Sequence, residues 1–99
     1  MTHLTNQANV ENICKFVAAT IKDKNTDYGG AYAEAVERFG NQYAVGKIFE
    51  KYTRILTLSL NKDYHKVKAE GLRDALLDCM GYCALYIDQL DQQRKEFDL

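Results

Sequence analysis

The stretch EGLRDALLDCMGYC, residues 70–83, decides how the rest of the chain is read. Glu70, Asp74 and Asp78 recur at every fourth position, with Leu72, Leu76, Cys79, Met80 and Cys83 interleaved among them. Side chains three and four apart share one face of an α-helix. The stretch therefore predicts a helix with an apolar side and a file of carboxylates beside it. Like charges one turn apart repel, so the file costs helix stability unless a cation offsets it. Such a row is commonly a solvated face, here with Lys66 and Arg73 nearby. The alternative is half of a magnesium site, because that hard ion takes one or two carboxylates together with waters and substrate phosphates.

Helical spacing recurs along the whole chain. The last helix begins near Val67 or Lys68, carries Leu72, Leu76, Met80, Cys83, Tyr86, Ile87 and Leu90, and frays in the charged QQRKEFDL. Upstream, Val45, Ile48, Phe49, Tyr52, Ile55 and Leu56 predict a third helix from Asn41, its cap, to about Leu60, with these residues on one side. A short helix, Ala31 to Phe39, ends at Gly40 in the C′ position. The first helix carries Val10, Ile13, Cys14, Val17 and Ile21 as one stripe, with Asn9 or Thr5 as its cap. KDKNTDYGG, residues 22–30, and LNKDYHK, residues 60–66, are expected as loops. Proline and alternating β-branched runs are absent. The expectation is an all-α fold: one domain over residues 1–99, a small helical bundle of three long helices and one short one. Leu77, Tyr82 and Leu85 widen the apolar side of the last helix, which implies packing on a second subunit and a homo-oligomer. Gly46 and Gly81 sit inside helices and are expected to permit close backbone approach.

Composition excludes several classes. The 99 residues carry 13 basic and 14 acidic side chains, a formal net charge of −1. That balance gives no electrostatic reason to bind nucleic acid or an anionic membrane. No apolar run is long enough to span a bilayer, and MTHLTNQANVEN lacks the basic and apolar regions of a signal peptide. Three cysteines, with Cys79 and Cys83 four apart on one helix side, read as free thiols in a reduced, cytoplasmic protein. His3 and His65 have no zinc-ligand spacing.

FEKYTRI, residues 49–55, places Lys51 and Arg54 beside Glu50. Glu50 can face Asp74 and Asp78 across a helix pair and complete a metal site, or pair with Arg54 on its own helix. Lys51 and Arg54 can meet phosphate oxygens. Glu34 and Glu37 can be a metal-ligand pair or, as the adjacent Arg38 and the short helix favour, surface decoration. In DYGG, Gly29 and Gly30 allow a tight turn or close approach to a ligand. Tyr28 can stack on a nucleobase or plug the core.

Taken in order, NTDYGGAYAEAVERFG, FEKYTRI and EGLRDALLDCMGYCALYI resemble the phage and bacterial nucleotide-modification-associated domain over about residues 22–90. That domain is similar to the all-α nucleoside triphosphate pyrophosphohydrolases of the MazG and dimeric dUTPase group. The resemblance implies a Mg2+ cofactor held by Glu50 on one helix and by Asp74 and Asp78 on the next. It implies Glu70 as a spare ligand or water base, and Lys51 and Arg54 as the groups that meet phosphate charge. Tyr28 and Gly29 would face the base. The chain departs from that pattern in two places. Lys51, Thr53 and Arg54 stand where a further acid would follow Glu50, and the second acidic pair is four apart rather than three. The expected function is Mg2+-dependent hydrolysis of a modified nucleoside triphosphate. The alternatives are a nucleotide-binding module without hydrolysis and a helical assembly protein.

Overall fold

The computed structural model describes residues 4–28, 30–60 and 66–97. These form four α-helices: α1 (Gln7–Tyr28), α2 (Ala31–Phe39), α3 (Asn41–Leu60) and α4 (Lys66–Phe97). The described residues contain no strand, so the all-α expectation holds. Among them, no helix is long and apolar enough to cross a membrane. Gly29, His3 and His65 lie outside the described residues, as does the core of the loop expected over residues 60–66.

Local chemistry explains the helix limits, and corrects some of the expected ones. Asn6, rather than Thr5 or Asn9, caps α1: its side-chain oxygen accepts from the Asn9 amide at 3.1 Å, the usual link from N-cap to third helical residue. α1 then runs through most of the segment expected as a loop. Between Lys22 and Tyr28 there is no glycine or proline to stop it, and polar side chains alone do not end a helix. The break comes at Gly30, which adopts φ 76°, a left-handed conformation that glycine takes without strain. Gly40, at φ 79°, ends α2 as expected, donating its N–H to the Val36 carbonyl at 2.7 Å. Asn41 is not a cap. Its side chain reaches α4, where the Gln93 amide donates to its Oδ1 at 3.0 Å, while the Gly40 carbonyl accepts from Tyr43 N at 3.1 Å. α4 continues through the segment expected to fray, as far as Phe97.

α3 and α4 are antiparallel neighbours. Asn41 meets Gln93, Lys51 meets Asp78, and Leu58 lies 3.8 Å from where a Gly71 Cβ would stand. α1 packs on the α4 side of this hairpin, with Val17 and Ile21 each 4.0 Å from a Cβ built at Gly81. The side of α3 turned inward does not coincide with its apolar side. Ala44 is buried and Lys47, Ile48, Lys51, Ile55 and Leu58 are half-buried, whereas Val45, Phe49, Tyr52 and Leu56 are exposed. α3 carries apolar residues around more than half its circumference, and the single chain covers only the edge bearing Ile48 and Ile55. Gly46 is not explained by close approach either, since a Cβ there meets nothing within 4 Å.

Among the described residues the buried hydrophobic side chains are Val17, Val36, Ala44 and Ala75, all small. The radius of gyration is 16.0 Å and the longest extent 52 Å. A globular chain of 100 residues would have a radius of gyration of about 13 Å. The 32-residue α4 accounts for the length, because at 1.5 Å per residue it spans about 48 Å.

Candidate functional site

Two files of polar side chains meet where α3 and α4 face α1 and α2. On α3, Tyr43, Lys47 and Lys51 stand at every fourth position and Arg54 one turn further on. On α4, Asp74, Asp78 and Tyr82 do the same. Helical spacing alone stacks each file on one face, and the antiparallel register sets them against each other. Lys51 Nζ lies 3.7 Å from Asp78 Oδ2 and 5.6 Å from the centre of the Tyr82 ring. Lys47 Nζ lies 5.6 Å from the Tyr43 ring centre and 3.5 Å from Glu50 Oε2. Cations over aromatic faces are attracted by the ring quadrupole, so both lysines are held partly by ring and partly by carboxylate.

Tyr32 on α2 completes an aromatic cluster. Its ring centre is 5.9 Å from that of Tyr43 and 6.0 Å from that of Tyr82, each pair tilted. The Tyr32 hydroxyl is buried and has no hydrogen-bond partner among the described residues. Burial, followed by neighbouring Tyr43 and Tyr82, pushes its pKa up to about 12. Lys47 behaves differently. Burial alone would lower its ammonium pKa, but Tyr43 and the Glu50 carboxylate outweigh burial and hold it above the ordinary lysine value.

These groups line a cavity of about 680 Å³, within the range of small-molecule sites. Its apolar wall comes from α1 and α4, with Phe16, Val17, Ile21 and Leu85; its aromatic floor is Tyr32, Tyr43 and Tyr82. Lys24, Lys47 and Arg54 bring positive charge to it, and Asp74 and Asp78 negative charge. Among the described residues Arg54 makes no ion pair; its guanidinium is free to take an anion.

The residues expected from sequence divide unevenly. Arg54, Asp74 and Asp78 line the cavity, and Lys51 is tied to its edge through Asp78. Glu70 is exposed and does not line it. Glu50 turns to Lys47, not Arg54, and is likewise outside the lining. Tyr28 is the last residue of α1; its side chain and Gly29 lie outside the described residues. Glu34 pairs with Arg38 at 3.2 Å on the surface. Among the described residues no three His, Cys, Asp or Glu side chains stand close enough together to hold a metal ion. Asp74 and Asp78 both line the cavity, and one or two carboxylates are what a magnesium ion held mainly by water and phosphate takes from a protein. This donor set does not fit a resident ion caged by protein.

Sequence reasoning missed Tyr32, Tyr43 and Lys47 as lining residues, and it read Tyr82, with Leu77 and Leu85, as a surface for a second subunit, whereas all three line the cavity. A signal was present in the spacing: Tyr43 and Lys47 continue the Lys51 file, and Tyr82 continues the Asp74–Asp78 file. No protein-family model, curated protein or solved structure matches the chain.

Proposed function

We propose that the protein binds a nucleotide in the cavity between its helices, with the base against the tyrosines and the phosphates toward Lys47 and Arg54. The observation that carries this reading is the juxtaposition of an aromatic floor with an unpaired guanidinium in one ligand-sized cavity. Stacking on aromatic rings suits any base, and a planar guanidinium suits phosphate oxygens. The hydroxyl of Tyr32, unsatisfied without a ligand, supplies a hydrogen-bond donor beside the base or sugar. In this reading the fold is a MazG-like bundle acting as a homo-oligomer in the cytoplasm of a bacterial or phage-infected cell.

A second reading, hydrolysis, is favoured by one observation: Asp74 and Asp78 both line the same cavity. Magnesium brought in by a triphosphate would be held there and would polarise the phosphate under attack. Lys51 and Arg54 would meet the developing charge. Glu70 would act only if a water chain linked it to the phosphates.

Titration calorimetry with a panel of nucleoside mono-, di- and triphosphates, with and without Mg2+, tests both. Binding weakened by Arg54→Ala and by Tyr82→Ala supports the nucleotide site. Magnesium-dependent turnover that is lost in Asp78→Ala supports the hydrolase; binding without turnover supports the module. Absence of both from the wild-type chain overturns the proposal.

A further inference from the structure

The side of the α3–α4 hairpin away from the cavity is apolar and uncovered. On α3 the exposed residues Val45, Phe49, Tyr52 and Leu56 follow at steps of four, three and four; on α4 exposed Leu76, Met80, Ile87 and Leu90 follow at four, seven and three, with half-buried Cys83 between Met80 and Ile87. This is the 3.5-residue repeat of helices that pack lengthwise on other helices. Neither stripe serves the chain that carries it. α3 gives Lys51 and Leu58 to α4 and Lys47 and Arg54 to the cavity. α4 gives Asp78 to α3 and Gly81 to α1. At about 100° per residue, both stripes fall on the opposite side of the hairpin. Half-buried Ile48, Ile55, Cys79 and Tyr86 lie between them, so the two helices make one continuous apolar face.

The missing area can be sized. The chain exposes 8066 Å², whereas a folded monomer of 11.3 kDa is expected to expose about 5,700 Å². The excess, roughly 2,300 Å² per chain, is large enough to contain the area, about 1,000–2,500 Å², that an obligate homodimer buries from each subunit. Such an interface would also supply the large buried side chains that are lacking among the described residues of the single chain.

The pattern also fits a copy of itself. The α3 stripe is centred near residue 50 and the α4 stripe near residue 83. Lys51, seated over the Tyr82 ring, puts both centres at one height. A single two-fold axis across the hairpin near that height would lay α3 on α3 and α4 on α4, antiparallel, with each apolar stripe against its own copy. The charges agree. Exposed Arg73 and Asp91 stand nine residues either side of Tyr82, five turns apart and therefore on the same edge of α4. The same axis brings Arg73 of each copy beside Asp91 of the other. Among the described residues neither has an ion-pair partner within the chain.

We infer that the protein is an antiparallel homodimer in which the α3–α4 hairpins of two copies form a four-helix bundle, leaving one cavity open on each outer side. The dimer does not depend on what the cavity holds, and it gives the homo-oligomer proposed above a specific face. Analytical ultracentrifugation of the full chain should give twice the monomer mass at micromolar concentration. Arg73→Glu or Asp91→Arg alone should weaken the dimer about tenfold, since two symmetric ion pairs become two repulsions. The double variant should restore it. Leu76→Asp and Tyr52→Asp should each give monomer, with circular dichroism reporting whether the helices survive. A monomeric wild-type chain overturns the inference. So does a dimer indifferent to the charge swap and to both aspartate variants, or a monomer whose apolar face binds phospholipid vesicles. Nucleotide titration of Arg73→Glu in parallel keeps the outcomes separate, because that side chain does not line the cavity.

Discussion

Replacing Tyr32 with phenylalanine should make the free protein more stable and its ligand complex weaker. The substitution removes one oxygen and leaves the ring in its tilted contacts with Tyr43 and Tyr82, at 5.9 and 6.0 Å. That oxygen is buried and unpaired among the described residues, and an unsatisfied buried polar group costs about 1–3 kcal/mol. Tyr32 as a whole is only half-buried, so the lower end applies, about 1 kcal/mol. For a domain of this size that gain corresponds to a rise in Tm of about 4–8 °C. With nucleotide present the sign reverses. A bound ligand that accepts from the hydroxyl loses that bond in the variant, and about 1.4 kcal/mol is tenfold in Kd. Thermal unfolding followed by circular dichroism, with and without ligand, reads both effects, and calorimetry gives the Kd directly. A lower Tm in the free variant would mean that the hydroxyl is already paired, refuting the stability argument. An unchanged Kd would mean that the hydroxyl does not face the ligand.

Three further outcomes follow from local chemistry. Gly46→Ala should stabilise the chain by about 1 kcal/mol, the helix-propensity difference, because an added Cβ at this exposed site meets nothing; urea unfolding should show a higher midpoint at the same slope. Asn6→Ala should cost about 1 kcal/mol by removing the side-chain acceptor of the Asn9 amide, and hydrogen exchange should quicken in the first turn of α1. Stability should also decline with rising pH between the ordinary tyrosine value of 10.0 and about 12. In that window folded Tyr32 keeps a proton that the unfolded chain has released, so deprotonation favours unfolding. Unfolding measured across the window should lose part of this slope in Tyr32→Phe.

The two half-buried lysines of α3 show why a helix pattern can be read from the wrong side. From periodicity, the stripe of Val45, Phe49, Tyr52 and Leu56 is the obvious inward face. Yet α4 presents Asp78 and Tyr82, and Lys51 satisfies both, with its stem packed and its ammonium between carboxylate and ring. Tyr43 and Glu50 do the same for Lys47. A half-buried cation is tolerable once it is paired, so the polar side turned toward α4 while the apolar stripe stayed outside. Hydrophobic spacing reports that a face will be covered, not which molecule covers it.

The same distinction runs through the whole chain. Local order was legible in the amino acids: four helices, the stop at Gly40, the break by Gly30, and the presence of Asp74, Asp78, Lys51 and Arg54 on helical faces, because each depends on neighbours within a few residues. The extension of α1 to Tyr28 was legible too, had the absence of a breaker between Lys22 and Tyr28 been weighed above its polarity. Other features belong to the tertiary structure. The antiparallel register joins Lys51 to Asp78, leaves Glu50 and Glu70 outside the cavity, and gathers Tyr32, Tyr43 and Tyr82 from three helices around one space. Those choices depend on where rigid helices cross, and residues distant in the chain become neighbours only after that crossing is set.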